Sequence, residues 1–241
     1  MAMGKTIVIA SGKGGTGKTM FTANIGAMMA KHGYRVCLID MDQGLRNLDL
    51  YLGLEDNVVY DVNDVLNGVC RIKQALIKDK MFPGLTFMAA SPKSDEGEIT
   101  PLHMKVLCEK LNDMFDYTLI DCPAGMDDGL QIALGGADNA IIVMTPEFAS
   151  LRDAEAITRE IENEVKSLSY ILNKVDLELV KLQMEPGLDD IPEYMRTKII
   201  GVIKDDRNIH ISTNLGMPIV FKEGTYIYKN FEKIALRVER L

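Results

Sequence analysis

A single, mostly parallel β-sheet with α-helices on both faces is the fold class this sequence predicts. Short apolar, β-branched runs recur along its 241 residues, at 6–10, 35–40, 84–90, 117–121, 137–144, 167–172 and 199–203. Stretches with helical apolar spacing separate them, and such alternation builds parallel sheets with right-handed crossovers. Two of the runs end in aspartates, Asp40 and Asp121, which sets acidic side chains along the carboxyl edge of the sheet. No repeat, low-complexity tract or Gly/Ser linker divides the chain, so 1–241 reads as one domain.

The first strand, Thr6 to Ala10, runs into Gly12-Lys13-Gly14-Gly15-Thr16-Gly17-Lys18-Thr19. That is Gly, four residues, then Gly-Lys-Thr, the spacing of a phosphate-binding loop. The following helix, Met20 to His32, has apolar spacing at Phe21, Ile25, Met28 and Met29 and a Gly33 stop. Glycines let the backbone curl closely round an anion, and the helix start turns its N–H groups toward phosphate oxygens. Lys18 would set its ammonium between the terminal phosphates, and Thr19 would offer its hydroxyl to Mg²⁺. Lys13 is a second cation that holding phosphates within one chain does not require.

The remaining elements follow in order. The strand at 35–40 leads to Asp40 and Asp42. The polar stretch Gln43 to Asp49 suits a switch-like loop entering a short helix, 58–75 reads as short helices, and 91–97 as a loop. A helix is expected from Met104 to Met114. The strand at 117–121 ends in Asp121, an apolar run followed by a carboxylate set for Mg²⁺ through a water. Gly125, just beyond, can offer its N–H to a γ-phosphate and move when that phosphate leaves. A helix begins at Ser150, with Asp153 and Glu155 in its first turns. The strand at 167–172 enters Asn173-Lys174-Val175-Asp176, the form with which GTPases read their base. Strand 199–203, helix 206–213 and loop 216–220 come next. The final helix carries Phe231, Ile234, Ala235, Val238 and Leu241 on one face, which suits either the core or a membrane surface.

Composition narrows the function classes. A net charge of −8 argues against a broad nucleic-acid face. Cys37, Cys70, Cys108 and Cys122 form no Cys-x-x-Cys pair and read as reduced, buried thiols, with Cys122 in packing. No signal peptide and no spanning apolar run is present, so a cytoplasmic, soluble chain is expected.

With Lys13 beside the phosphate loop, the sequence resembles the MinD/ParA group of deviant Walker A P-loop ATPases. Asp40-Met41-Asp42-Gln43-Gly44-Leu45-Arg46-Asn47-Leu48-Asp49-Leu50, Val59-Tyr60-Asp61-Val62 and Gln74-Ala75-Leu76-Ile77-Lys78-Asp79 resemble its MinD branch. The likeness covers almost all of the chain. It implies an ATP-dependent homodimer in which Lys13 reaches the partner's phosphates, with ATP and Mg²⁺ as cofactors. It implies ATP hydrolysis, slow and partner-stimulated, in division-site placement. Gly12 to Thr19, Gly125, Asn173 and Pro218 would hold the nucleotide. Asn173 would contact adenine, although the full Asn-Lys-x-Asp form leaves GTP open. Asp42 would position the attacking water, or else cap a helix. Thr19 and Asp121 would serve the metal, and Asp40 would orient its water shell or cap its strand. Regulators of the MinC/MinE kind would read the surface from Glu147 to Asp153. A ParA-like DNA-partitioning ATPase and a flagellar-number MinD-like ATPase are the alternatives. The family's short basic lipid-binding segment does not follow Leu241, so membrane attachment on the inner face is expected only of a longer native protein.

Overall fold

The computed structural model describes residues 4–43, 46–92, 99–186, 191, 195 and 198–241. Among the described residues eight strands form one sheet: β1 (Lys5–Ala10), β2 (Val36–Asp40), β3 (Ile77–Lys78), β4 (Leu85–Met88), β5 (Tyr117–Asp121), β6 (Asn139–Met144), β7 (Ser167–Val175) and β8 (Ile199–Lys204). Their order is β3-β4-β2-β5-β1-β6-β7-β8, and every pairing is parallel except the antiparallel edge pair of β3 with β4. β3 was not expected, because two residues are too few to show a strand's alternation.

Central strands are apolar on both sides because both faces are covered. Ile7 and Ile9 of β1, Leu38 of β2 and Leu119 of β5 enter one buried cluster. Val8, Ala10, Cys37, Ile39 and Ile120, the alternate residues, enter the other. The first cluster lies under α1 (Lys18–Lys31), α2 (Leu48–Leu52), α9 (Arg207–Asn214) and α10 (Tyr226–Val238). The second takes α3 (Val62–Leu66), α4 (Ile72–Ala75), α5 (Pro101–Asn112), α6 (Asp128–Leu134) and α7 (Phe148–Ile161). A further short helix, α8 (Leu177–Lys181), follows β7.

α1 is buried almost all round, between the sheet and α10. Its Gly26 permits that approach, since a Cβ there would come within 2.5 Å of Leu38. α10 is capped by the Thr225 hydroxyl and buries Phe231, Ile234, Ala235 and Val238, with Phe231 stacked at 6.5 Å on Phe21 of α1. The apolar face left open between core and membrane is therefore core. Among the described residues no helix is long and apolar enough to cross a membrane.

Several boundaries differ from expectation for local reasons. α5 starts at Pro101 behind the Thr100 cap, earlier than its apolar spacing suggested. β7 continues to Val175 because β8 pairs with it that far. Residues 58–61 are not helical, and Asp61 instead bridges Ala89 and caps α3. The Lys93–Gly97 part of the expected loop and Gly44-Leu45 of the switch-like stretch lie outside the described residues.

Candidate functional site

At the carboxyl edge of the sheet, β1 hands the chain to the glycine turn and α1 carries it away. The turn needs left-handed backbone at Gly15 (φ 80°) and Gly17 (φ 89°), conformations that glycine adopts without strain. A Cβ on Gly14 or Gly15 would meet no atom within 4 Å and would project into open space. A Cβ on Gly17 would come within 2.2 Å of the Asn173 amide nitrogen. That amide, buried at the end of β7, donates to the Thr16 carbonyl at 2.7 Å and fastens the turn from the side.

Beneath the turn, Asp121 gathers three side chains of α1. Thr19 Oγ1 donates to Asp121 Oδ2 at 2.7 Å, Lys18 Nζ lies 3.2 Å from Oδ1, and the Thr22 hydroxyl lies 3.0 Å from the same oxygen. Lys18 and Asp121 are both buried. Burial pulls the Lys18 pKa down, but Asp121 and lesser contributions from Cys122 and Asp42 outweigh it, so the ammonium keeps its proton.

Asp40 ends β2 in register with Asp121. Its carboxylate is fully buried, with Oδ1 accepting from the Asp42 N–H at 2.9 Å and Oδ2 from the Leu48 N–H at 3.0 Å. Burial, and then the neighbouring Asp121 charge, raises its pKa. In this arrangement Asp40 holds the loop that presents Asp42 and does not line the cleft. Asp42 does line it, and burial raises its pKa while Lys18 opposes the shift.

The cleft has a volume of about 680 Å³. Gly14 to Thr19, Asp42 and Asn173 are among its walls, so most of the expected site converges there. The far wall was missed at the level of sequence: Lys204, Asp205, Asp206, Ile209 and His210, from the end of β8 and the start of α9. The signal available was the rule that ligands sit beyond the carboxyl ends of parallel strands. Pro218 is not in the cleft. It precedes the turn Ile219–Phe221, whose Val220 N–H donates to Asn24 of α1. Gly12 lies against α7, where a Cβ would come within 2.5 Å of Asp153. Lys13 turns away to pair with Glu147. Gly125 donates its N–H to the Ser11 carbonyl at 2.9 Å. Asp176 caps α8 by accepting from the Glu178 N–H, so the last position of Asn-Lys-x-Asp is engaged outside the cleft.

These donors fit a magnesium nucleotide. The unfilled space above Gly14 and Gly15 leaves their backbone open to an anion. The Thr19 hydroxyl beside Asp121 is the hard-oxygen pair that Mg²⁺ takes, together with phosphate and water.

Comparisons with known proteins agree. Residues 7–219 match the CobQ/CobB/MinD/ParA nucleotide-binding domain. The septum site-determining protein MinD of Synechocystis sp. is 44% identical over 98% of this chain and 90% of its own length. MinD of Bacillus subtilis is 40% identical over 98% of this chain and 89% of its own. MinD from the MinC:MinD complex of Aquifex aeolicus superposes with a TM-score of 0.90 at 38% identity, covering 98% of this chain and 96% of that one. The MinD of Pyrococcus horikoshii, solved with Mg-ADP, gives 0.87 at 28% identity, covering 98% and 96%.

Proposed function

Because the chain belongs to the CobQ/CobB/MinD/ParA nucleotide-binding family, on its MinD branch, we propose that it works as an ATP-driven dimerisation switch. It is a MinD-type ATPase that acts in placing the division septum. The observation that carries the switch reading is the cluster of Lys18, Thr19 and Asp121 beneath an open glycine backbone.

ATP binds with its phosphates on the Gly14–Thr19 backbone and the Lys18 ammonium. Thr19 and Asp121 would hold Mg²⁺, which would supply positive charge against the terminal phosphates. Asp42 orients the attacking water, and its raised pKa makes it a better proton acceptor. With one Asn173 N–H committed to Thr16, the amide oxygen remains an acceptor for the exocyclic amine of adenine. The second amide N–H could equally meet a guanine carbonyl, so what favours ATP is Asp176, whose carboxylate caps α8 outside the cleft and is not free to read a guanine edge.

Two further groups are held away in the single chain. Lys13 pairs with Glu147, and the Gly125 N–H is taken by Ser11. Hydrolysis is slow for that reason, and quickens when a second protomer and a protein partner draw these groups to the γ-phosphate. The Aquifex relative is solved with MinC. We assign a MinC-type partner, and a MinE-type activator, to the surface from Glu147 to Asp153. Sedimentation tests the reading: the chain runs as a monomer with ADP and as a dimer with a non-hydrolysable ATP analogue. A monomer under both conditions overturns it.

A further inference from the structure

α2 brings one more hydrogen-bonding side chain to the cleft. Tyr51 lines it together with Lys18, Thr19 and Asp42. Its helix is fixed at both ends. At the start, the Leu48 N–H donates to the buried Asp40 carboxylate. At the end, Gly53 (φ 63°) meets Gly216 (φ 61°) so closely that a Cβ on Gly53 would come within 2.8 Å of the Gly216 carbonyl oxygen. Leu48 and Leu52 anchor the helix in the core between these points. The Tyr51 ring packs on the same cluster. Packing therefore explains the ring but not the hydroxyl, to which no described residue hydrogen-bonds.

α2 packs against α1, the helix that carries Lys18 and Thr19, and the charges that reach this hydroxyl agree with that placement. Burial raises its pKa most, Asp121 raises it further, and Lys18 opposes. Asp121 and Lys18 mark the phosphate end of the cleft, while Asn173 and the β8–α9 wall mark the other. The phenol keeps its proton and is a donor. An anion held by Lys18 is the acceptor it lacks.

We propose that Tyr51 contacts the phosphates of the bound nucleotide, its hydroxyl donating to a non-bridging phosphate oxygen from the α2 side of the cleft. This rests on the nucleotide reading of the cleft. It adds a donor from α2 to those of the glycine turn, so the loop after β2 would feel the phosphates directly.

Tyr51→Phe keeps the ring and removes only the donor. ADP titrated into parent and variant, in Mg²⁺, should bind the variant about tenfold more weakly, the loss expected for a hydrogen bond to a charged group. Denaturant melts without nucleotide should coincide, which separates the effect from a folding defect. Adenosine, followed by ligand-observed NMR, should bind both proteins alike. Equal ADP affinities overturn the proposal, as does an equal loss for adenosine, which would put the hydroxyl on the sugar or base. A parent that binds no ADP removes the nucleotide reading itself, a separate outcome visible before any variant is made.

Discussion

Lys13 pairs with Glu147 of its own chain, across the gap between the glycine turn and the start of α7. Both side chains are partly exposed, at 32% and 59%. Such a pair is worth only about 0.2–1 kcal/mol, so it is a catch that a stronger partner can open. In the proposed dimer, three phosphates of a facing protomer would be such a partner.

Opening that catch in advance should favour association. Glu147→Gln is expected to tighten the ATP-dependent dimer about two- to fivefold, read as the shift in protein concentration at half-dimerisation. Lys13→Ala should bind ADP as the parent does and stay monomeric with an ATP analogue. A Lys13→Ala protein that dimerises normally would sink the trans role of this lysine.

Lys18 has a different environment and a different expectation. It is the counter-charge to a buried carboxylate. Lys18→Met should destabilise the unliganded chain by about 3–5 kcal/mol, because Asp121 is left charged and unpaired. Adding Asp121→Asn should recover part of that stability and none of the nucleotide affinity. Denaturant melts and ADP titrations on both variants separate the two effects.

What could be read ahead of the structure was whatever depends on residues close together in the chain. The glycine turn, the strand-end acids Asp40 and Asp121, and the Asn173 strand end are all of this kind. The β8–α9 wall was not legible, because it depends on β8 pairing beside β7 across a long connection. Nor were the partners of Asp40 and Gly125, since a hydrogen bond to Leu48 or Ser11 is decided by folding and leaves no mark in spacing. Tyr51 carries no sequence signal of a site, because a lone aromatic in a short apolar helix looks like packing.

The final helix offers a test of core against membrane. Phe231 is fully buried on α1. Phe231→Ala should cost about 3–5 kcal/mol in denaturant unfolding. A variant as stable as the parent would contradict the packed arrangement.

At the opposite edge of the sheet, Arg35 and Asp116 form a two-pronged pair that joins the starts of β2 and β5. The Arg35 hydrogen bonds hold the Asp116 pKa below its ordinary value, with burial opposing. The folded chain therefore binds this proton less readily than the unfolded chain. The stabilisation is present above the unfolded value of about 3.9 and is lost as the pH falls through the lower folded one. Asp116→Asn should cost less than about 1 kcal/mol at neutral pH, since the pair is half-exposed. The gap between variant and parent should close in acid, as thermal melts across pH would record.

The bond from Asn173 to the Thr16 carbonyl makes the glycine turn and the proposed base-contacting amide mechanically one. A substitution that slackens the turn also tilts the amide, and the reverse holds. Defects in purine discrimination and in triphosphate grip should therefore surface together, and a double-mutant cycle between Asn173→Ala and Gly17→Ala should come out strongly non-additive.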